Sequence, residues 1–141
     1  MANQIANVFK RALLLAEVDI DTDVFKIALM NSAFLFDRDA YEEYADISAS
    51  ELATGFGYTA GGLTLSGVTV TRDDASDRTD VTWDNPAWSA SGGDIGPTRG
   101  AIIYDDTHAN NIIVGYIDFG APFTQSDGGS AAINTVTLRL A

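Results

Sequence analysis

The stretch GFGYTAGGLTLSGVTVTRDD, residues 55–74, decides how the rest of the chain is read. Gly55, Gly57, Gly61 and Gly62 stand directly before Leu63, Leu65, Val68 and Val70, which alternate with small polar residues. Such a turn either cradles a phosphate or makes a tight corner that feeds a β-strand. A dinucleotide-binding loop lies between a strand and a helix, but here a strand-like run follows. A P-loop needs Gly-Lys-Ser/Thr, and no Lys is nearby. The glycines therefore read as residues that permit positive φ at a corner. Gly67 reads as a bulge or bend in the strand beyond it.

On the N-terminal side, ANQIANVFKRALLLAE predicts one amphipathic helix over residues 1–18. Ile5, Val8, Phe9, Ala12, Leu13 and Ala16 fall on one face at helical spacing, and Asn3 is the candidate N-cap. The turn DIDTD leads into a strand, VFKIALMNSAF, with apolar residues on both faces. DRDAYEEYADIS predicts a helical turn around Tyr41–Tyr44.

On the C-terminal side, RTDVTWDNPAWSA predicts a strand through Val81 and Trp83, stopped by Pro86. SGGDIGP reads as a loop and TRGAIIYDD as a buried strand. DTHANN reads as a turn, with IIVGYIDFG as the hairpin partner of TRGAIIYDD. After the turn TQSDGGS, AINTVTLRLA closes the chain as a strand through Ile133, Val136, Leu138 and Leu140. One helix followed by a run of strands predicts a mainly β domain, an antiparallel β-sandwich or jelly-roll-like barrel with one N-terminal amphipathic helix. A length of 141 residues suits a single domain, 1–141, with the sandwich over 23–141. Phe25, Ile27, Leu29, Ile103, Val114, Tyr116 and Ile117 are the expected core.

Charge narrows the function. The net charge is -12, and sixteen of the twenty acidic residues are Asp, which favours turns over helix interiors. Eight scattered Lys and Arg cannot build the basic face that nucleic acid requires. There is no cysteine for a disulfide framework or a thiolate site. No secretory-signal pattern is expected, and no apolar run approaches the ~18 residues of a membrane span.

The candidate chemical motifs each fail in the sequence. In DIDTD, Asp19, Asp21 and Asp23 alternate like the start of a calcium loop. An EF-hand would then need Gly at position 24 and Glu at position 30, where this chain has Val24 and Met30. His108, the single histidine, falls in a predicted turn without a nucleophile elbow or a second histidine at zinc-ligand spacing. Asp73, Asp74 and Asp77 read as a solvated hairpin tip. Asp105 and Asp106 point to opposite faces if their strand continues. Trp83, Trp88, Tyr104 and Tyr116 suit either a sugar platform or core and interface anchors. No catalytic, metal or cofactor residue is assigned, and the protein is not expected to be an enzyme.

FKIALMNSAF, then YADIS and ELATGFGYTAGG, VTW, RGAIIYDDT and IVGYIDFG, together with the N-terminal ANQIANVFKRALLLAEVDIDTD, resemble a group of small virion structural proteins of tailed bacteriophages. The resemblance spans roughly residues 1–120 and departs in DNPAWSASGGDIGP, which is longer and richer in Gly and Pro. It implies a structural part of the particle, assembled in the host bacterial cytoplasm. The expected role is a capsid decoration or cement protein bound to the outside of the major capsid protein shell. A tail, fibre or head–tail connector component is the alternative. A β-sandwich carbohydrate-binding module or small hydrolase is a further one. A homo-oligomer is expected, a trimer before a dimer, with no nucleic-acid or membrane partner. Its interface candidates are the helix face Ile5, Val8, Phe9 and Leu13 and the anchors Trp88 and Phe123. The Asp73–Asp77 and Asp105–Asp106 turns are expected to supply polar contacts.

Overall fold

The strand Phe25–Asn31 (β2) is buried at consecutive positions from Ile27 to Met30, so both of its faces are covered, which explains why its sequence is apolar on both faces. The structure, a computed structural model, describes residues 3–141. On one side β2 pairs with Ile95–Asp105 (β7), which pairs in turn with Ile113–Gln125 (β8). A two-residue strand, Gln4–Ile5 (β1), covers the outer edge of β8 at Tyr116 and Gly115. Leu63–Thr64 (β3) covers the other side of β2. The order of this five-stranded antiparallel sheet is β1-β8-β7-β2-β3. It ends in two free edges, so it is not a closed barrel, and the jelly-roll-like barrel expected as one alternative is corrected.

A second sheet has three antiparallel strands: Val136–Leu140 (β10), Arg78–Trp83 (β5) and Thr69–Asp73 (β4), in the order β10-β5-β4. Ala87–Ser89 (β6) and Ser130–Ala132 (β9) form a separate two-stranded ladder. The buried apolar side chains form one contiguous cluster, which contains all seven residues expected there. Phe25 and Trp83 join the five- and three-stranded sheets, with ring centroids 5.6 Å apart. Gly115 admits Leu138 from β10; a Cβ there would stand 2.8 Å from the Leu138 Cδ1.

The N-terminal helix is shorter than residues 1–18. It covers Asn7–Leu14 (α1), with Ala6 as N-cap, and Met1 and Ala2 lie outside the described residues. Asn3 is not its cap: its Oδ1 accepts from the Asp118 N–H (2.9 Å) and its Nδ2 donates to the Thr137 carbonyl (3.2 Å), tying β8 to β10. Ile5 satisfies helical spacing but sits in β1, where the edge of β8 offers backbone partners. The helix stops because Ala16 turns to φ 56° and Glu17 N–H closes back on Ala12 O at 2.9 Å.

It is also not the only helix. The turn expected around Tyr41–Tyr44 is a one-turn helix at Tyr44–Ile47 (α2), followed by a 3-10 turn at Ser48–Ser50. Asp46 starts it by accepting from the Glu42 and Glu43 N–H groups, which hold its carboxyl below the usual carboxylate range.

The opening stretch is a corner, as expected, but it serves two sheets. Leu63–Thr64 belongs to the five-stranded sheet and Thr69–Asp73 to the three-stranded one. Gly67, at φ 65°, makes the crossing between them and is not a bulge inside one strand. SGGDIGP is not all loop, because Ile95 already opens β7 opposite Gln125.

Candidate binding surface

The corner is held by Glu51. Its carboxylate accepts the Tyr58 hydroxyl at 2.5 Å, the Gly61 N–H at 2.7 Å and the Tyr44 hydroxyl. Tyr58 Oη in turn accepts from the Leu29 N–H (2.9 Å), and Tyr104 donates to the Gly61 carbonyl (2.6 Å). Desolvation, and then the bond to Glu51, push the Tyr44 and Tyr58 hydroxyls well above the ordinary tyrosine range. Tyr104 is pushed up to about 12, mainly by desolvation. These tyrosines stay protonated donors at neutral pH, which suits a structural clasp. The clasp fixes the loop that carries Phe56.

Phe56 is 54% exposed and sits against Gly93 across the loop. Phe123, on β8, is 46% exposed. The chain brings it outward by an irregularity in the β7–β8 ladder. Gly100 pairs with Asp118, but two residues earlier Thr98 pairs with Phe123, so β8 carries three extra residues there. Phe119, Gly120, Ala121 and Pro122 form this bulge, with Gly120 at φ 81°. A groove of about 330 Å³ opens beneath it, floored by Leu29, Ile95 and Ile133 and walled by Phe119, Pro122 and Phe123. A second groove of about 190 Å³, edged by Leu52, Phe56 and Asp94, shares Ile95 with the first. The first volume lies at the lower end of the roughly 300–1,000 Å³ typical of ligand pockets. The two grooves thus meet over the buried Ile95 at that end of β7, with Phe123 walling the first and Phe56 edging the second.

The interface candidates from the sequence fall in different places. Phe123 lies on this surface. Ile5, Phe9 and Trp88 are buried in the chain's own core, with Val8 and Leu13 half-buried against it. Trp88 lines the groove from below, its ring 6.2 Å from Tyr58. Trp83, Tyr104 and Tyr116 are buried too, so these aromatics present no open sugar platform. Phe56, Ile95 and Phe119 were not singled out from the sequence. A phenylalanine between two glycines, GFG, is the signal that marks the first of them.

The remaining motifs resolve into turns. Asp19 Oδ1 accepts from Asp21 N–H, and Asp23 Oδ2 from Asp19 N–H, which closes the DIDTD loop on itself. His108 is half-buried, and its Nδ1 accepts from the Asn110 N–H at 3.1 Å. Arg72 pairs with Asp74 and Arg78 with Asp73 at the β4–β5 hairpin tip. Asp106 is exposed and pairs with Lys26 at 3.4 Å.

Asp105 is the exception, being fully buried and so unable to contact a shell. Its Oδ1 accepts from Thr107 and His108 N–H (2.8 and 3.1 Å), while Oδ2 has no donor. Desolvation, then the neighbouring Asp23 carboxyl, push it up from 3.8 to about 6. The fold thus favours its neutral form. Stability from this group is full below about pH 4 and is lost as pH rises through about 6. Asp105→Asn keeps the Oδ1 acceptor and offers Asp23 an N–H. It is expected to stabilise the protein at pH 7.5 by up to ~3 kcal/mol and to flatten the loss between pH 4 and 6. Urea unfolding across that range reads both effects; a variant less stable at every pH would show that Asp105 is held by more than these contacts.

No family model matches the chain, and neither a curated protein nor a solved structure matches it significantly.

Proposed function

We propose that this chain is a structural protein of a tailed-bacteriophage virion, a decoration or cement protein on the outside of the capsid. The observation that carries the reading is the pair of apolar grooves at the Ile95 end of β7, one walled by Phe123 on the β8 bulge and the other edged by Phe56 on the loop that the Glu51 clasp holds. Exposed aromatic residues beside apolar grooves mark protein–protein contact more often than chance exposure. The sequence resemblance supplies the particle, and the net charge of -12 suits a partner other than nucleic acid. The sandwich belongs to the same proposal: the two larger sheets act as layers over the shared core and present the surface rigidly. We propose a homo-oligomer, a trimer before a dimer, because local threefold positions let three weak contacts act together.

Particles lacking the protein are expected to assemble normal heads and tails but to lose integrity at lower temperature, read by thermal release of the genome. Normal heads without tails would instead assign it to the connector or tail. Unchanged thermal release would remove the cement role.

A further inference from the structure

The geometry points to a proton-operated latch at the Asp23–Asp105 carboxyl pair. One shared proton holds the loop between α1 and β2, residues 15–24, against the end of β7. Its loss releases the loop while the sheets stay folded.

The two carboxyls come from different elements and meet at one corner. Asp105 ends β7 and pairs with Phe25, the first residue of β2. Asp23 stands two residues before Phe25. Val24, between them, is tied to the same place: its N–H donates to Thr107 Oγ1 at 2.7 Å, and its carbonyl accepts from the Asp106 N–H at 2.8 Å. Asp105 is fully buried, its Oδ2 has no donor, and the neighbouring side chain is Asp23. Two touching carboxyls resist ionising together. A proton between them satisfies the orphan oxygen and joins loop to strand.

Little else holds the loop. Asp23 Oδ2 accepts from the Asp19 N–H and the Asp23 N–H donates to the Asp19 carbonyl, both at 2.9 Å. The Asp21 N–H donates to Asp19 Oδ1 at 3.0 Å. These bonds close the loop on itself. Among the described residues, no hydrogen bond or ion pair runs from residues 18–23 to another part of the chain. Val18 is buried and Ile20 half-buried against the core, while Leu15, Ala16, Glu17, Asp19, Asp21 and Thr22 are exposed.

No cation replaces the proton. Lys26 of β2 is taken by Asp106 at 3.4 Å. Lys10 and Arg11 of α1 make no ion pair with either carboxyl. In the 106–111 turn, His108 meets Asp105 through its backbone N–H, and its Nδ1 accepts from the Asn110 N–H. On the β8 side the Asp105 N–H donates to the uncharged Ile112, whose other neighbour is Glu43. Tyr104 donates away, to the Gly61 carbonyl. Glu17, Asp19 and Asp21 add only negative charge. When the proton leaves, a buried carboxylate faces a second one. Relief falls on the segment with the fewest bonds to the rest of the fold.

Amide hydrogen exchange on the whole chain, in a chelating buffer at pH 4 and pH 7 and corrected for the intrinsic rate at each pH, tests the latch. Opening that returns Asp105 from about 6 to 3.8 raises the open fraction roughly 50-fold between these values, almost all of it below pH 6. Protection at Val24, Thr107 and His108 is expected to fall by that factor, while amides along β2 and β7 keep theirs. Asp105→Asn and Asp23→Asn each place an amide donor against the remaining carboxylate. Both are expected to hold the loop at pH 7 within about threefold of its pH 4 protection. His108→Gln is expected to keep the full wild-type change. A wild-type change under about threefold overturns the latch. So does an equal loss along β2 and β7, which would mean that the whole domain opens. Either Asn variant with the full wild-type change, or a change abolished by His108→Gln, overturns it as well.

Discussion

Gly62→Ala is expected to prevent stable folding, although it adds a single methyl group. Gly62 sits at φ 80°, where an L-residue is strained by ~1–2 kcal/mol. The larger effect is steric. A Cβ would lie 1.9 Å from the Ile27 carbonyl oxygen, 2.5 Å from its carbon and 2.9 Å from the Ala28 Cα. These are backbone atoms of the central strand β2, which cannot turn aside as a side-chain tip could. Relief requires β3 to leave β2, and the neighbouring Gly61 then loses its bonds to Glu51 and Tyr104. A small domain has only ~5–15 kcal/mol of stability to lose. Gly128→Ala is the control, at φ 84° with open space around its Cβ, and should show the conformational strain alone. Urea unfolding of the two variants makes the comparison. Equal losses would mean that the corner yields and that the close approach to Ile27 is not a constraint.

Ile103→Ala is expected to destabilise the protein by ~2–5 kcal/mol. Ile103 is fully buried in β7, between Ile27 of β2 and Gly115 of β8. Neither neighbouring strand can close the void without disturbing two ladders, which places the effect toward the upper end of that range. A loss under ~0.5 kcal/mol, measured by the same unfolding experiment, would show that Ile103 does not face the core.

These two positions show where sequence reading reaches. Ile103 was legible because a β-branched run bounded by Asp- and Gly-rich turns has few other ways to fold. The β7–β8 hairpin, the β4–β5 hairpin and the seven core residues follow from the same signals. The corner at Gly55–Gly62 was legible too, since glycines before an alternating run imply positive φ. The crossing between sheets at Gly67 was not. The apolar phase slips by one at Gly67, from Leu63 and Leu65 to Val68 and Val70, and such a slip fits a bulge within one strand as well as a change of sheet. The helix was overdrawn because Ile5 fits helical spacing as well as it fits a two-residue strand, and the edge of β8 decides between them.

The binding surface was half legible. Phe123 is an expected anchor by its aromatic character, while the bulge at Phe119–Pro122 that exposes it depends on pairing register. Trp88 has the same character but lies beneath Tyr58 and the groove floor. Glu51 carries no signal in the sequence, because its partners, Tyr44, Tyr58 and Gly61, come together only once the loop closes.

A density map of the intact particle from the phage that encodes this chain tests the central claim most directly. Copies of this fold on the outer face of the shell, repeated over the whole head at junctions between capsid subunits, are the predicted result. The same fold confined to the tail, the fibres or the portal vertex, or absent from the particle, would contradict it.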